Sequence, residues 1–215
     1  MGLDLPCIIV NFKTYPQGTG QDAEKLAKKL DRIDKLYIAV QAPDICRIKE
    51  KTKCRIFAQH IDAEKEGAHT GSITAESVKE AGATGTLINH SEKRIPLKEI
   101  KEAVKICRQF NLISIVCVPD PNTVKKVKRF KPDAIAVEPP ELIGTGVSIN
   151  EAKPELIRRS VKNAGKIPLL CGAGIESGKD VKEALELGAK GILVASAVVK
   201  AKNPKKIAQE FLDSI

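Results

Sequence analysis

At 215 residues, with 42% hydrophobic and 29% charged residues, the chain has the composition of an ordinary globular domain and lacks the polar bias of disordered proteins. Its longest apolar stretches, such as Leu112 to Val118 and Gly191 to Val199, are far shorter than the roughly 20 residues of a membrane span. The net charge of +9 admits nucleic acid, an acidic membrane or a phosphorylated small molecule as partner, yet the lysines alternate with glutamates in segments such as Glu99 to Lys105, as on solvated helix faces.

Other global features agree. Met1 to Pro6 carries Asp4 and no basic region, so no signal peptide is expected and the chain reads as cytoplasmic. The six cysteines contain no CxxC pair, and three sit inside apolar runs, the pattern of reduced packing thiols. Trp is absent and aromatic residues are few, so the core is expected to be aliphatic.

Short β-branched runs recur, each followed by a polar turn and a segment of helical periodicity. In chain order the expected pairs are Cys7 to Val10 with Gln21 to Arg32, Tyr37 to Gln41 with Pro43 to Lys51, and Arg55 to Gln59 with Thr74 to Ala81. Next come Gly85 to Ile88 with Leu97 to Phe110, Ile113 to Val118 with Asn122 to Phe130, and Ala134 to Val137 with Glu151 to Asn163. The last two are Pro168 to Cys171 with Gly178 to Leu187, and Gly191 to Ala195 with Pro204 to Leu212. Ser177 is placed to cap the seventh helix and Gly188 to end it. The strands are nearly continuous apolar runs, as in a parallel sheet covered on both faces. Such units in one domain, 1–215, predict a closed parallel (β/α)8 barrel. An open doubly wound sheet would carry glycines after its first strand, where this chain has Val10-Asn11-Phe12-Lys13.

Chemistry in such a barrel sits at the C-terminal ends of the strands. Polar residues stand there after the first, fourth and sixth runs: Asn11 and Lys13, His90, and Glu138. Singly, each has an ordinary reading: a hydrogen-bonded structural histidine, a surface lysine, a cap before Pro139-Pro140. Together they have no packing rationale, whereas His60 and His69 read as structural.

The segments Val10 to Lys13, Leu87 to Arg94 and Ala136 to Gly146 resemble the three signature stretches of triosephosphate isomerase, in its compact archaeal form. The resemblance runs in order from Cys7 to Asn203. It implies interconversion of glyceraldehyde 3-phosphate and dihydroxyacetone phosphate through an enediolate, in glycolysis and gluconeogenesis, with no cofactor and no metal. In that reading Glu138 is the base, because a carboxylate in an apolar pocket shuttles a proton between adjacent carbons. His90 is a neutral electrophile at an expected helix N-terminus, a pattern for which this enzyme is a standard example. Lys13 supplies positive charge, Asn11 a neutral hydrogen bond, and Glu92 an orienting partner.

A dianionic phosphate needs backbone N–H groups, which the turns Cys171 to Gly174 and Val194 to Ala197 offer. By resemblance Ile143, Gly144, Gly174, Ala195 and Ser196 contact the ligand, and Pro139 to Gly146 form a closing lid lacking the Trp of the commoner pattern. The segment Gln59 to Ser77 exceeds the roughly two to six residues usual for such loops. Its stretch Gly67 to Gly71 resembles the family's interdigitating loop, which implies that Thr70 reaches a neighbouring subunit's Asn11 and Lys13 in a homotetramer built from two dimers. Another phosphate-binding barrel, of tryptophan or histidine biosynthesis, would share only the last two turns. A nucleic-acid binder would need more aromatic residues.

Overall fold

Apolar runs without polar alternation can be satisfied only when both sheet faces are covered, and here each becomes a strand between a packed interior and a helical layer. The computed structural model describes residues 2–139 and 154–215. Its strands are β1 (Cys7–Asn11), β2 (Leu36–Val40), β3 (Arg55–Ala58), β4 (Gly85–Ile88), β5 (Ile113–Val118), β6 (Ala134–Val137), β7 (Leu169–Cys171) and β8 (Gly191–Val194). They pair in chain order, all parallel, and β8 closes on β1 with Ile8 opposite Ile192.

The helices are α1 (Gly20–Lys29), α2 (Ile45–Lys51), α3 (Ala75–Glu80), α4 (Leu97–Gln109), α5 (Pro121–Val127), α6 (Pro154–Ala164), α7 (Gly178–Glu186), α8 (Ser196–Val199) and α9 (Pro204–Leu212). The bounds fall within three residues of expectation, and two of the larger shifts have local causes. Ala42–Asp44 forms a 3-10 turn ahead of α2, and Lys128–Phe130 another after α5. Ser177 caps α7 in a box with Asp180, and Gly188 follows with φ 103°. None of the described helices is long and apolar enough to cross a membrane.

Alternate strand residues divide the core in two. Ile9, Tyr37, Phe57, Leu87, Ile115, Cys117 and Leu193 fill the barrel interior, while Ile8, Val10, Ile38, Ile56 and Val116 face the helices. Tyr37 and Phe57 meet edge to face at 5.2 Å, opposite the small Ala134 and Ala136 in the same cluster.

The N-terminal end of this interior is stoppered. Leu3 and Leu5 pack against it, the Asp4 N–H donates to the Tyr37 hydroxyl (3.0 Å), and Arg55 Nη1 donates to Asp4 Oδ2 (2.7 Å). The cleft that gathers polar residues lies at the opposite end, where the strands' C-termini meet. The six cysteines are unpaired thiols and only Cys46 is exposed.

Candidate active site

At the end of β1 the backbone of Lys13 takes a φ of 50°, a left-handed conformation that costs a residue with a Cβ about 1–2 kcal/mol. Side chains hold it on both sides: the Lys13 N–H donates to Asn11 Oδ1 (2.9 Å), and Gln59 Nε2 donates to the Lys13 carbonyl (2.9 Å). Gln59 Nε2 also reaches Asn11 Oδ1 (3.2 Å), so that oxygen is fully engaged and Asn11 must present its amide nitrogen to the cleft. Lys13 Nζ meets Glu92 Oε1 at 2.7 Å, which fixes the ammonium at the rim.

His90 follows β4. It does not stand at a helix N-terminus as expected: Glu92 and its neighbours form a turn, closed by the Lys93 N–H on the His90 carbonyl (2.8 Å), and α4 begins only at Leu97. The Glu92 N–H donates to His90 Nδ1 (3.2 Å). A nitrogen that accepts a hydrogen bond carries no proton, so the imidazole is neutral with its hydrogen on Nε2.

Glu138, one residue beyond β6, is 3% exposed, and its Oε1 lies 3.1 Å from His90 Nε2. Its other oxygen, Oε2, is buried without a hydrogen-bond partner among the described residues. Beneath it, burial first and then the Glu138 charge push the Cys117 thiol well above its ordinary range, so a neutral sulfur forms the floor. A buried carboxylate oxygen with unmet acceptor capacity can take a proton from a molecule bound in the cleft.

Asn11 Nδ2 and His90 Nε2 are 3.4 Å apart. With Asn11 oriented by Gln59 and His90 by Glu92, both are donors, so they do not satisfy each other. An oxygen entering between them could accept from both, and Lys13 lines the same cleft. Two such donors beside a buried carboxylate can stabilise a developing oxyanion.

The same cleft, about 90 Å³, is lined by Asn11, Lys13, His90 and Glu138 on one side and by Gly172, Gly174, Ala195 and Ser196 on the other. Gly174 has φ 63°, which suits a turn that presents its backbone. The Gly172 N–H is taken by the Val137 carbonyl (2.9 Å). At the start of α8 the Val198 and Val199 N–H groups bind the Ala195 carbonyl (3.2 and 2.9 Å), which leaves those of Ser196 and Ala197 without an intrahelical carbonyl. The structure thus gathers Asn11, Lys13, His90, Glu92, Glu138, Gly174, Ala195 and Ser196 on one rim. Ile143, Gly144 and the lid beyond Pro139 lie outside the described residues. Thr70 is exposed on the β3–α3 loop, and His60 is buried against Asp62 (3.0 Å).

Three residues with evident roles escape sequence reasoning: Gln59, Asn89 and Gly172 in its contact with Glu138. A Cβ on Gly172 would lie 2.5 Å from Glu138 Cγ, so the absent side chain is the space the base occupies. The only signal for Gln59 was a polar residue closing the third apolar run.

The sequence profile described as triosephosphate isomerase matches residues 6–211. The triosephosphate isomerase of Methanobrevibacter smithii is 45% identical over 222 residues, covering 99% of this chain and 100% of that protein. That of Saccharolobus solfataricus is 48% identical, covering 97% of this chain and 96% of its own length. A crystal structure of triosephosphate isomerase from Bartonella henselae superposes with a TM-score of 0.73 at 23% identity, over 96% of this chain and 99% of that one, and supports the fold. With a whole-chain profile match and relatives of this similarity, the chain belongs to the triosephosphate isomerase family, an isomerase on a (β/α)8 barrel.

Proposed function

We propose that this chain interconverts D-glyceraldehyde 3-phosphate and dihydroxyacetone phosphate with Glu138 as base, His90 as electrophile and Lys13 and Asn11 as stabilisers. The observation that carries the reading is the pairing of a neutral His90, its Nδ1 occupied by the Glu92 N–H, with Glu138 Oε1 at 3.1 Å from Nε2. When substrate enters, its carbonyl oxygen takes the point shared by Asn11 Nδ2 and His90 Nε2, and Glu138 is left facing the adjacent carbon. Glu138 removes that carbon's proton, the C–H electron pair becomes the new carbon–carbon double bond, and the carbonyl π pair moves onto oxygen. The enediolate charge is met by the two N–H donors and the Lys13 ammonium. The hydroxyl proton of the first carbon then passes to the enediolate oxygen, the oxygen left behind forms the new carbonyl, and the carbon–carbon π pair takes the proton back from Glu138 at the neighbouring carbon, which regenerates the carboxylate. The Ala173 and Gly174 N–H groups and those of Ser196 and Ala197, which line the same cleft, anchor the phosphate.

The same reading includes a cytoplasmic enzyme assembled as a homotetramer of two dimers. Residues 64–71 form a continuously exposed stretch, and a second cleft of about 560 Å³ beside Asn11, Lys13, Gln59 and Glu92 is open to receive such a loop from another copy. Thr70 at its tip would pack against the partner's β1 end.

The deciding experiment is a coupled isomerisation assay on the wild type and Glu138→Gln. Loss of a general base costs about 10²- to 10⁴-fold in turnover. The wild type is expected to isomerise both triose phosphates and the variant to lose that activity while still binding ligand. A variant retaining a tenth of the activity would remove Glu138 from the role.

A further inference from the structure

We propose that Asn89 is a positioning residue that holds the electrophile and the base of this site in one frame, an inference that rests on reading His90 and Glu138 as the acid-base pair. Asn89 is buried (5% exposed), directly precedes His90 and adopts φ 61°. Glycine would occupy that conformation with less strain. What asparagine adds is a carboxamide used at both ends: Oδ1 accepts the Ile95 N–H (3.0 Å), and Nδ2 donates to the Cys117 carbonyl (2.8 Å).

The first bond closes the chain from 89 to 95 into a ring that contains His90 and Glu92. The Glu92 N–H can aim at His90 Nδ1 only while that turn keeps its shape, so the ring sets the tautomer of the electrophile. The second bond reaches the strand beneath the base. Cys117 lies opposite Ala136, its thiol faces Glu138, and the next carbonyl, Val118, accepts the Glu138 N–H (2.8 Å). Successive carbonyls of β5 are therefore gripped from opposite sides, one by Asn89 and one by Glu138. Arg94 doubles the clamp, donating from Nη1 to the Asn89 carbonyl (2.7 Å) and the Cys117 carbonyl (3.2 Å). Aspartate, nearly the same shape, cannot replace the amide, because it would set an acceptor against the Cys117 carbonyl.

The test uses Asn89→Gly, which suits the backbone and deletes both side-chain bonds, beside Glu138→Gln and His90→Asn as references. Turnover and KM come from the coupled assay, folding from circular dichroism and melting, and the His90 tautomer from 15N spectra of histidine-labelled protein. Asn89→Gly is expected to fold and to lose about 10- to 100-fold in kcat, the scale of a reacting group displaced by a fraction of an ångström to one ångström, with KM changed less than about threefold. Its His90 is expected to lose the single Nε2–H form for a mixture. Arg94→Met, at an exposed position, removes only the outer bonds and is expected to lower kcat about 3- to 10-fold. A wild-type kcat and an unchanged tautomer in Asn89→Gly overturn the frame; if that variant does not fold, a wild-type kcat in Arg94→Met overturns it. Activity retained in Glu138→Gln would instead remove the site reading, and the proposal with it.

Discussion

Adding one methyl group at Gly172 is expected to disable the site without removing any group that meets substrate. A Cβ there would lie 2.5 Å from Glu138 Cγ and 3.2 Å from the Val137 carbonyl oxygen. Ordinary contact begins near 3.4 Å, and the carbonyl belongs to a strand that cannot retreat, so the carboxylate arm must withdraw by about 0.9 Å. Displacement by about 1 Å is worth on the order of 100-fold in rate, or roughly 2.7 kcal/mol of barrier. Overpacking adds about 1–3 kcal/mol of destabilisation, a fall of about 2–12 °C in melting temperature for a chain of this size. Because the Gly172 N–H binds Val137 and not ligand, KM should move far less than kcat. The assay is steady-state isomerisation by purified, folded Gly172→Ala with its thermal melt alongside. A kcat within threefold of the wild type would refute the reasoning, since the base would then tolerate a position it is argued to need.

Phosphoglycolate should bind far more tightly than glycolate, and its affinity should fall with salt through Lys13; calorimetry showing equal affinities would dismiss the phosphate turns. In native protein only Cys46 should react with a thiol reagent, and slowly, because its hydrogen bond to Glu50 holds the thiol above its usual range; release of a second thiol before unfolding would contradict the burial. Burial also pushes Cys7, Cys107 and Cys171 up to about 12 and Cys54 up to about 11, from 9.0. The unfolded chain therefore loses protons first, and stability present below pH 9 should decline as pH rises toward 12, read as a falling melting temperature that flattens when Cys171 is replaced by Ala. Thr70→Asp should dissociate the assembly into weakly active species, and a fully active monomer by sedimentation would oppose the loop's proposed role.

The barrel was legible because its signals are redundant. Apolar runs bracketed by Gly, Pro or charge set β4, β5 and β6 to the residue, and Ser177 with Asp180 announced α7. The four-residue α8 was read as a turn, since Ser196–Val199 is shorter than the period that would reveal it. Asn11, Lys13, His90 and Glu138 were visible as polar residues terminating apolar runs, and family resemblance supplied their roles. Gln59 and Asn89 are also polar residues at strand ends, but their work is done across strands, through the carbonyls of Lys13 and Cys117. No spacing along the chain encodes such a contact. The helix expected at His90 failed for a related reason: Ser91 to Pro96 carry cap-like residues, but the ring closed by Asn89 on Ile95 holds them as a turn.

Closure of the sheet has a consequence for biosynthesis. The first strand to leave the ribosome, β1, has β8 as one of its two neighbours, and about 180 residues separate Asn11 from Gly191. At roughly 5–20 residues per second, translation leaves that flank of β1 without its partner for about 10–35 s. During that interval an apolar edge, Cys7 to Val10, is open to pairing with other nascent chains. A chain that ends before β8 (Gly191–Val194) lacks the partner of β1 and can never seal itself.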